Sequence, residues 1–88
     1  MSKFSPAFQR DLKKHKKKSG PKEFERITEK IRRLIAESLE DCLGGTGKPE
    51  VHRYTNPPLY TRRINREHRL AYYCYDDHNL FIQCYGHT

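Results

Sequence analysis

The sequence has 88 residues, of which 34% are hydrophobic, with 18 Lys and Arg against 11 Asp and Glu for a formal charge of +7. That length holds one small domain over 1–88 and excludes a cofactor fold with a separate substrate domain. No apolar run nears the roughly 20 residues of a membrane span, and no secretory apolar stretch follows Met1. Neither a membrane protein nor an exported one is therefore expected. The positive excess points to a large anionic partner, either a polyanion or an acidic protein, met at a shallow site.

The charge is uneven along the chain. Residues 1–20 carry seven basic groups and one acid, net +6, whereas 21–43 are net −1 and 44–88 net +2. Met1 to Phe4 reads as a short edge strand. Ser5 followed by Pro6 is an N-cap with proline at the first helical position. The helix it opens runs to Lys18, with Ala7, Phe8 and Leu12 as its apolar anchors. Lys13, Lys14, His15, Lys16, Lys17 and Lys18 fall in its last turns, where the helix dipole favours cations. Ser19-Gly20-Pro21 ends it and starts the next helix.

Residues 22–39 are the clearest helix, with Phe24, Ile27, Ile31, Leu34, Ile35 and Leu39 on one face. Gly44-Gly45-Thr46-Gly47 is a flexible loop closed by Lys48-Pro49. The remainder reads as strands: Val51–Tyr54, Tyr60–Asn65, Arg69–Tyr75 and Leu80–Tyr85. Asn56-Pro57-Pro58 marks a loop, and Arg66-Glu67 and Asp76-Asp77-His78-Asn79 fit hairpin turns. Helices followed by strands joined by short links define an α+β fold. A two-helix hairpin is expected on one face of a mainly antiparallel sheet of four or five strands.

Three cysteines, Cys42, Cys74 and Cys84, show no C-x-x-C or C-x-x-H spacing. Neither a disulfide framework nor a zinc ribbon is indicated, and a reducing cytoplasm is the expected setting. Cys74 and Cys84 lie in apolar runs and read as small core residues. His52, His68 and His78 have no ligand spacing with the cysteines, so no metal and no cofactor is expected. His68 reads as support for the core or a hairpin.

Alternate strand residues share a face. Leu70, Tyr72 and Cys74 then form one set, and Leu80, Ile82 and Cys84 another, both expected to meet the helices. The opposite sets hold Arg69, Ala71, Tyr73 and Tyr75, and Phe81, Gln83, Tyr85 and His87. A sheet face bearing rings and rimmed with cations suits RNA, since rings stack on bases and arginines hold phosphates. An ordinary half-solvated sheet face has much the same composition, so periodicity alone leaves both readings open.

Four blocks then stand out: Gly45-Thr46-Gly47-Lys48-Pro49-Glu50, Tyr60-Thr61-Arg62-Arg63-Ile64, Glu67-His68-Arg69-Leu70-Ala71-Tyr72, and Cys84-Tyr85-Gly86-His87. In this order and spacing the chain resembles the YoeB/Txe group of bacterial toxins, in the RelE superfamily of toxin–antitoxin systems. The blocks cover about residues 44–88. The N-terminal half resembles the group in layout, but its lysine run and lack of Trp depart from it. The resemblance implies a RelE-like microbial RNase fold and a ribosome-dependent endoribonuclease. Such an enzyme cuts mRNA in the decoding A site, inhibits translation and is neutralised by an acidic antitoxin. Carried over by position, Glu50, Arg63, Arg69 and His87 fall in the active site, and Arg53 and Tyr54 on neighbouring positions. A homodimer is favoured weakly over a monomer.

The residue types suit that chemistry. Attack of a 2′-OH on its own phosphate needs a base, cations at the phosphate and an acid for the leaving oxygen. Glu50 is suited to the first role, Arg69 and Arg63 to the second, and His87 to the third. Metal is not needed. One departure bears on this: the group ends in Tyr where this chain has Thr88, which has no ring. A weakened enzyme, replacement of the missing ring by Tyr85, or lost activity would each follow. The competing readings are a non-cleaving RNA- or ribosome-binding relative, and a protein whose main role is to bind its antitoxin. Lys13, Lys14, Lys16, Lys17 and Lys18 read either as a solvated helix face or as a grip on ribosomal RNA.

Overall fold

Among the described residues a three-residue strand comes first, two helices follow, and four strands come after them. In the computed structural model, which describes residues 1–86, these are β1 Ser2–Phe4, α1 Pro6–Lys18, α2 Pro21–Glu40, β2 Glu50–His52, β3 Leu59–Arg63, β4 Arg69–Cys74 and β5 Asn79–Gln83. The sheet order is β1-β5-β4-β3-β2, with β1 parallel to β5 and every other pair antiparallel. The expected α+β class and the helical hairpin on one sheet face are both present.

Local chemistry sets the helix ends. The Phe8 N–H donates to Ser5 Oγ at 3.1 Å, and Pro6 begins α1. The Ser5 hydroxyl donates to the Ile82 carbonyl at 3.2 Å, which fastens the start of α1 to the end of β5. In α2 the buried row is Ile27, Ile31, Leu34 and Ser38. Leu39, expected on this face, is instead 43% exposed. The row steps by four to Ser38, whose hydroxyl donates to Ile35 O at 2.7 Å and whose carbonyl accepts from Asn79 Nδ2 at 3.0 Å.

The core lies between the helices and one face of the sheet. Phe8, Ile27, Ile31 and Leu34 pack on Ile64, Leu70, Tyr72, Phe81 and Cys84. Each large apolar side chain so buried stabilises the fold by about 1.5–3 kcal/mol. In β4 the expected parity holds: Leu70 and Tyr72 are fully buried and Cys74 packs against them. In β5 it is reversed. Phe81 faces the core and Leu80 the opposite side, because Tyr72 pairs with Phe81 but Ala71 pairs with Gln83. That one-residue shift leaves Ile82 without a partner in the register and brings Cys84, three residues after Phe81, back to the core.

Two further expectations are corrected. Cys42 and Cys74 are joined by a disulfide across a separation of 32 residues. The end of α2 and the end of β4 meet in space, a pairing that no local cysteine spacing could show. Cys84 is free and buried, as read. Within the lysine run, His15 is 1% exposed while the five lysines are exposed. It lies three residues from Leu12 and seven from Phe8, one and two turns along the buried side of α1. Its Nε2 donates to the Cys84 carbonyl at 2.7 Å.

Candidate active site

The sheet face turned away from the helices is built by cross-strand register. Glu50 is opposite Thr61 and Thr61 opposite Ala71, and Ala71 in turn faces Gln83. One row along, Arg63 faces Arg69; on the other side His52 faces Leu59 and Leu59 faces Tyr73. Thr61 and Ala71 are fully buried and form the floor.

Glu50 begins β2, and its place depends on the loop that precedes it. The fully buried Arg62 holds that loop: Nε donates to Tyr72 Oη at 2.8 Å, Nη1 to the Thr46 carbonyl at 3.1 Å, and Nη2 to the Asp41 carbonyl at 2.7 Å. Tyr72 Oη in turn donates to the Cys42 carbonyl at 2.7 Å. Glu37 Oε1 accepts from the Thr46 N–H at 2.6 Å and from the Thr46 hydroxyl at 2.8 Å. These bonds to Thr46, with Arg62 nearby, lower the Glu37 pKa. Burial raises that of Tyr72, against the opposing effect of its bond from Arg62.

Gly47 completes the support. Its carbonyl accepts from the Arg63 N–H at 2.6 Å, and its φ of +86° places it in the left-handed region. A Cβ there would stand 3.0 Å from the Arg63 carbonyl oxygen. Only glycine lets the loop lie this close to β3. Lys48, at φ +48°, then turns the chain through Pro49 into Glu50.

The carboxylate so placed meets a guanidinium. Arg69 Nη1 is 3.5 Å from Glu50 Oε1, with the side chains 22% and 55% exposed. Arg63, exposed, stands across from Arg69. The cluster is accessible to a strand lying on the face, and its arginines offer charge to an anion beside one carboxylate.

The site residues read from sequence divide into groups. Glu50, Arg63 and Arg69 are together. Arg53 and Tyr54 are exposed just past β2, at the rim, with Tyr54 72% exposed and its ring 5.8 Å from that of His52. Tyr85 is packed elsewhere: its ring lies 4.9 Å from His15 and 4.5 Å from His68, under Lys14 Nζ at 4.9 Å. β5 ends at Gln83, and the chain beyond it bends, which removes the strand parity that related Tyr85 to the open face. His87 and Thr88 lie outside the described residues. The chain leading to them is fixed: Asp11 Oδ2 accepts from the Cys84 N–H at 2.9 Å, Gly86 N–H donates to His68 Nδ1 at 2.8 Å, and the Gly86 carbonyl accepts from the Arg69 N–H at 3.0 Å. Burial, with Asp11 nearby, pushes the Cys84 thiol up to about 12. The lysines of α1 are exposed along that helix, with Lys14 Nζ over the Tyr85 ring.

His52 is the residue that sequence reasoning missed. It lies two places from Glu50 on the same face, and its Nε2 is 3.0 Å from Thr61 Oγ1. Period-two counting from Glu50 would have found it. Among the described residues no group of three or more His, Cys, Asp or Glu side chains is arranged to hold a metal ion, and no helix is long and apolar enough to cross a membrane.

The helical hairpin on a five-stranded sheet is the architecture that this chain shares with solved bacterial toxins of the YoeB group. The family model described as YoeB-like toxin of bacterial type II toxin-antitoxin system matches residues 4–88. This chain belongs to that family. Toxin YoeB of Escherichia coli K12 is 39% identical over 62 residues, covering 70% of this chain and 74% of the relative. Toxin YoeB of Synechocystis is 37% identical over the same length. Among solved structures, the YoeB dimer from Staphylococcus aureus superposes with a TM-score of 0.80 at 32% identity, covering 99% of this chain and 95% of that one. A YoeB/ParE toxin from Agrobacterium tumefaciens gives 0.79 at 26% identity, covering 99% and 98%.

Proposed function

We propose that this toxin is a ribosome-dependent endoribonuclease that cuts mRNA in the A site by attack of a 2′-OH on the adjacent phosphate. The observation that carries the reading is the Glu50–Arg69 contact of 3.5 Å on an open sheet face, with Arg63 across from Arg69. Glu50 takes the 2′-OH proton. Arg69 and Arg63 hold the phosphate and stabilise the charge it gains. His87 protonates the leaving 5′-oxygen. The bond from the Arg69 N–H to the Gly86 carbonyl supports this role, because it ties the residue before His87 to the phosphate-binding arginine. Arg53 and Tyr54 contact the strand at the rim. No step requires a metal or a cofactor.

The ribosome supplies what a small domain cannot, by presenting and orienting the strand. The exposed Lys13, Lys14, Lys16, Lys17 and Lys18 grip ribosomal RNA, and the protein acts in the cytoplasm, where ribosomes translate. Its antitoxin is an acidic segment that folds over the basic face. A heterotetrameric YoeB–YefM complex and a YoeB dimer are known from Staphylococcus aureus, which supports both an antitoxin partner and a homodimer here.

The test is cleavage of mRNA on purified programmed ribosomes. A cut mapping to the A site that disappears in His87→Ala and Glu50→Ala bears the proposal out, and binding without cutting refutes it. Thr88→Tyr is expected to raise cleavage many-fold if the missing ring has weakened the enzyme. Tyr85 does not compensate for that ring in this reading, since its own ring is held between His15 and His68.

A further inference from the structure

The open face does not end at the arginines. Along β4 the residues on that face are Arg69, Ala71 and Tyr73, and the next alternate position is Tyr75, just past the strand. The Tyr73 and Tyr75 rings are 6.4 Å apart, and the His78 ring stacks on Tyr75 at 4.8 Å with planes 20° apart. Tyr75 is 41% exposed. A strand rises about 3.3 Å per residue, so Tyr73 stands roughly 13 Å from Arg69 and Tyr75 roughly 20 Å, a span of a few unstacked nucleotides.

We propose that Tyr73 and Tyr75, the latter backed by His78, form a stacking track for unpaired bases of the RNA strand whose phosphate lies at Arg63 and Arg69. The proposal rests on the nuclease reading and extends the site it describes. Aromatic rings on a positively charged sheet face bind single strands with little regard to sequence, because every base has a π-face. Here the platform is held before binding. Asp77 Oδ1 is 2.7 Å from His78 Nδ1, and the His78 ring, with only 18% of its side chain exposed, backs the Tyr75 ring. A ring already fixed loses little entropy when a base arrives. The track also has an end: Asp76 and Asp77 are exposed at the turn, where an RNA phosphate would meet like charge. The face therefore favours bases at its rings and phosphates at its arginines.

Equilibrium binding of fluorescein-labelled oligoribonucleotides tests the track without requiring cleavage. Two probes of equal length are used, an oligouridylate and an abasic strand that keeps every phosphate. The full chain should prefer the oligouridylate by about tenfold or more, a stacking contribution typical of such rings. Tyr75→Leu, which keeps apolar bulk at an exposed position, should remove most of that preference and leave abasic binding unchanged. Tyr75→Phe should retain it. Arg63→Ala with Arg69→Ala should weaken both probes alike. Equal binding of both probes by the unaltered protein, or binding of neither at low salt, overturns the track. So does a Tyr75→Leu protein that still prefers bases. An acidic peptide whose binding alone depends on Tyr75 would assign the face to a protein partner and likewise overturn it. Failure of ribosomal cleavage with a base preference intact would instead sink the nuclease reading and keep the track.

Discussion

At Glu50 a single carboxylate stands among cations, and its contact with Arg69 gives both groups their position. In the proposed reaction Glu50→Gln keeps the shape and loses the base, so cleavage on ribosomes should fall about 10²–10⁴-fold. Affinity for ribosomes should stay within a few-fold, and a variant that cuts at the normal rate would remove Glu50 from the chemistry. Arg62, one place from Arg63, has the opposite character. It is fully buried and spends its donors on Tyr72, Thr46 and Asp41. Arg62→Leu leaves those acceptors unsatisfied and should cost about 3 kcal/mol of stability, read by urea unfolding. Two adjacent arginines thus divide between scaffold and site, and strand alternation is the reason: Arg62 points to the helices and Arg63 away from them.

The elements themselves were legible where burial follows a local period. The buried Ile27, Ile31 and Leu34 of α2, the N-cap at Ser5 and the Leu70–Tyr72 parity of β4 all follow from spacing. What was not legible depends on tertiary events. The register shift opposite Ala71 reverses β5, and no single-strand pattern encodes it. His15 looks like one more cation in a lysine run until the Cys84 carbonyl is placed beside it. The disulfide joins two segments that only the fold brings together. Of the candidate site, the resemblance supplied Glu50, Arg63 and Arg69, and the structure brings them together, whereas Tyr85 and His52 changed standing because position in sequence does not give side-chain surroundings. The 41–48 loop is the element on which Glu50 depends, and Glu37 gives it a pH signature. The folded pKa of Glu37 is lowered, so its contribution is complete above the unfolded value of 4.5 and is lost as pH falls through the lowered folded value. Protection of the loop amides against exchange, relative to the intrinsic rate, should fall over that acid range, and Glu37→Gln should remove this dependence. An unchanged pH profile in the variant would contradict the role assigned to Glu37.

Across the whole molecule the charge of +7 is unevenly placed, with a lysine cluster in α1 and arginines on the open sheet face. The five lysines of α1 are exposed, and a role in docking predicts a salt dependence of their own. Neutralising all five should weaken ribosome binding and flatten the slope of log affinity against log salt by several units, since each released phosphate counterion adds nearly one. The slope for short strands bound at the arginine face should be unchanged; equal ribosome affinity in the neutralised protein would make the run an ordinary solvated face. The arginines contribute less to the net charge but stand where the phosphate is proposed to react. That claim is tested most directly by the end groups of the cut mRNA. In-line attack by the 2′-OH predicts a 2′,3′-cyclic phosphate on the upstream fragment and a 5′-hydroxyl on the downstream one, both lost in Glu50→Ala. A 3′-hydroxyl with a 5′-phosphate would contradict it.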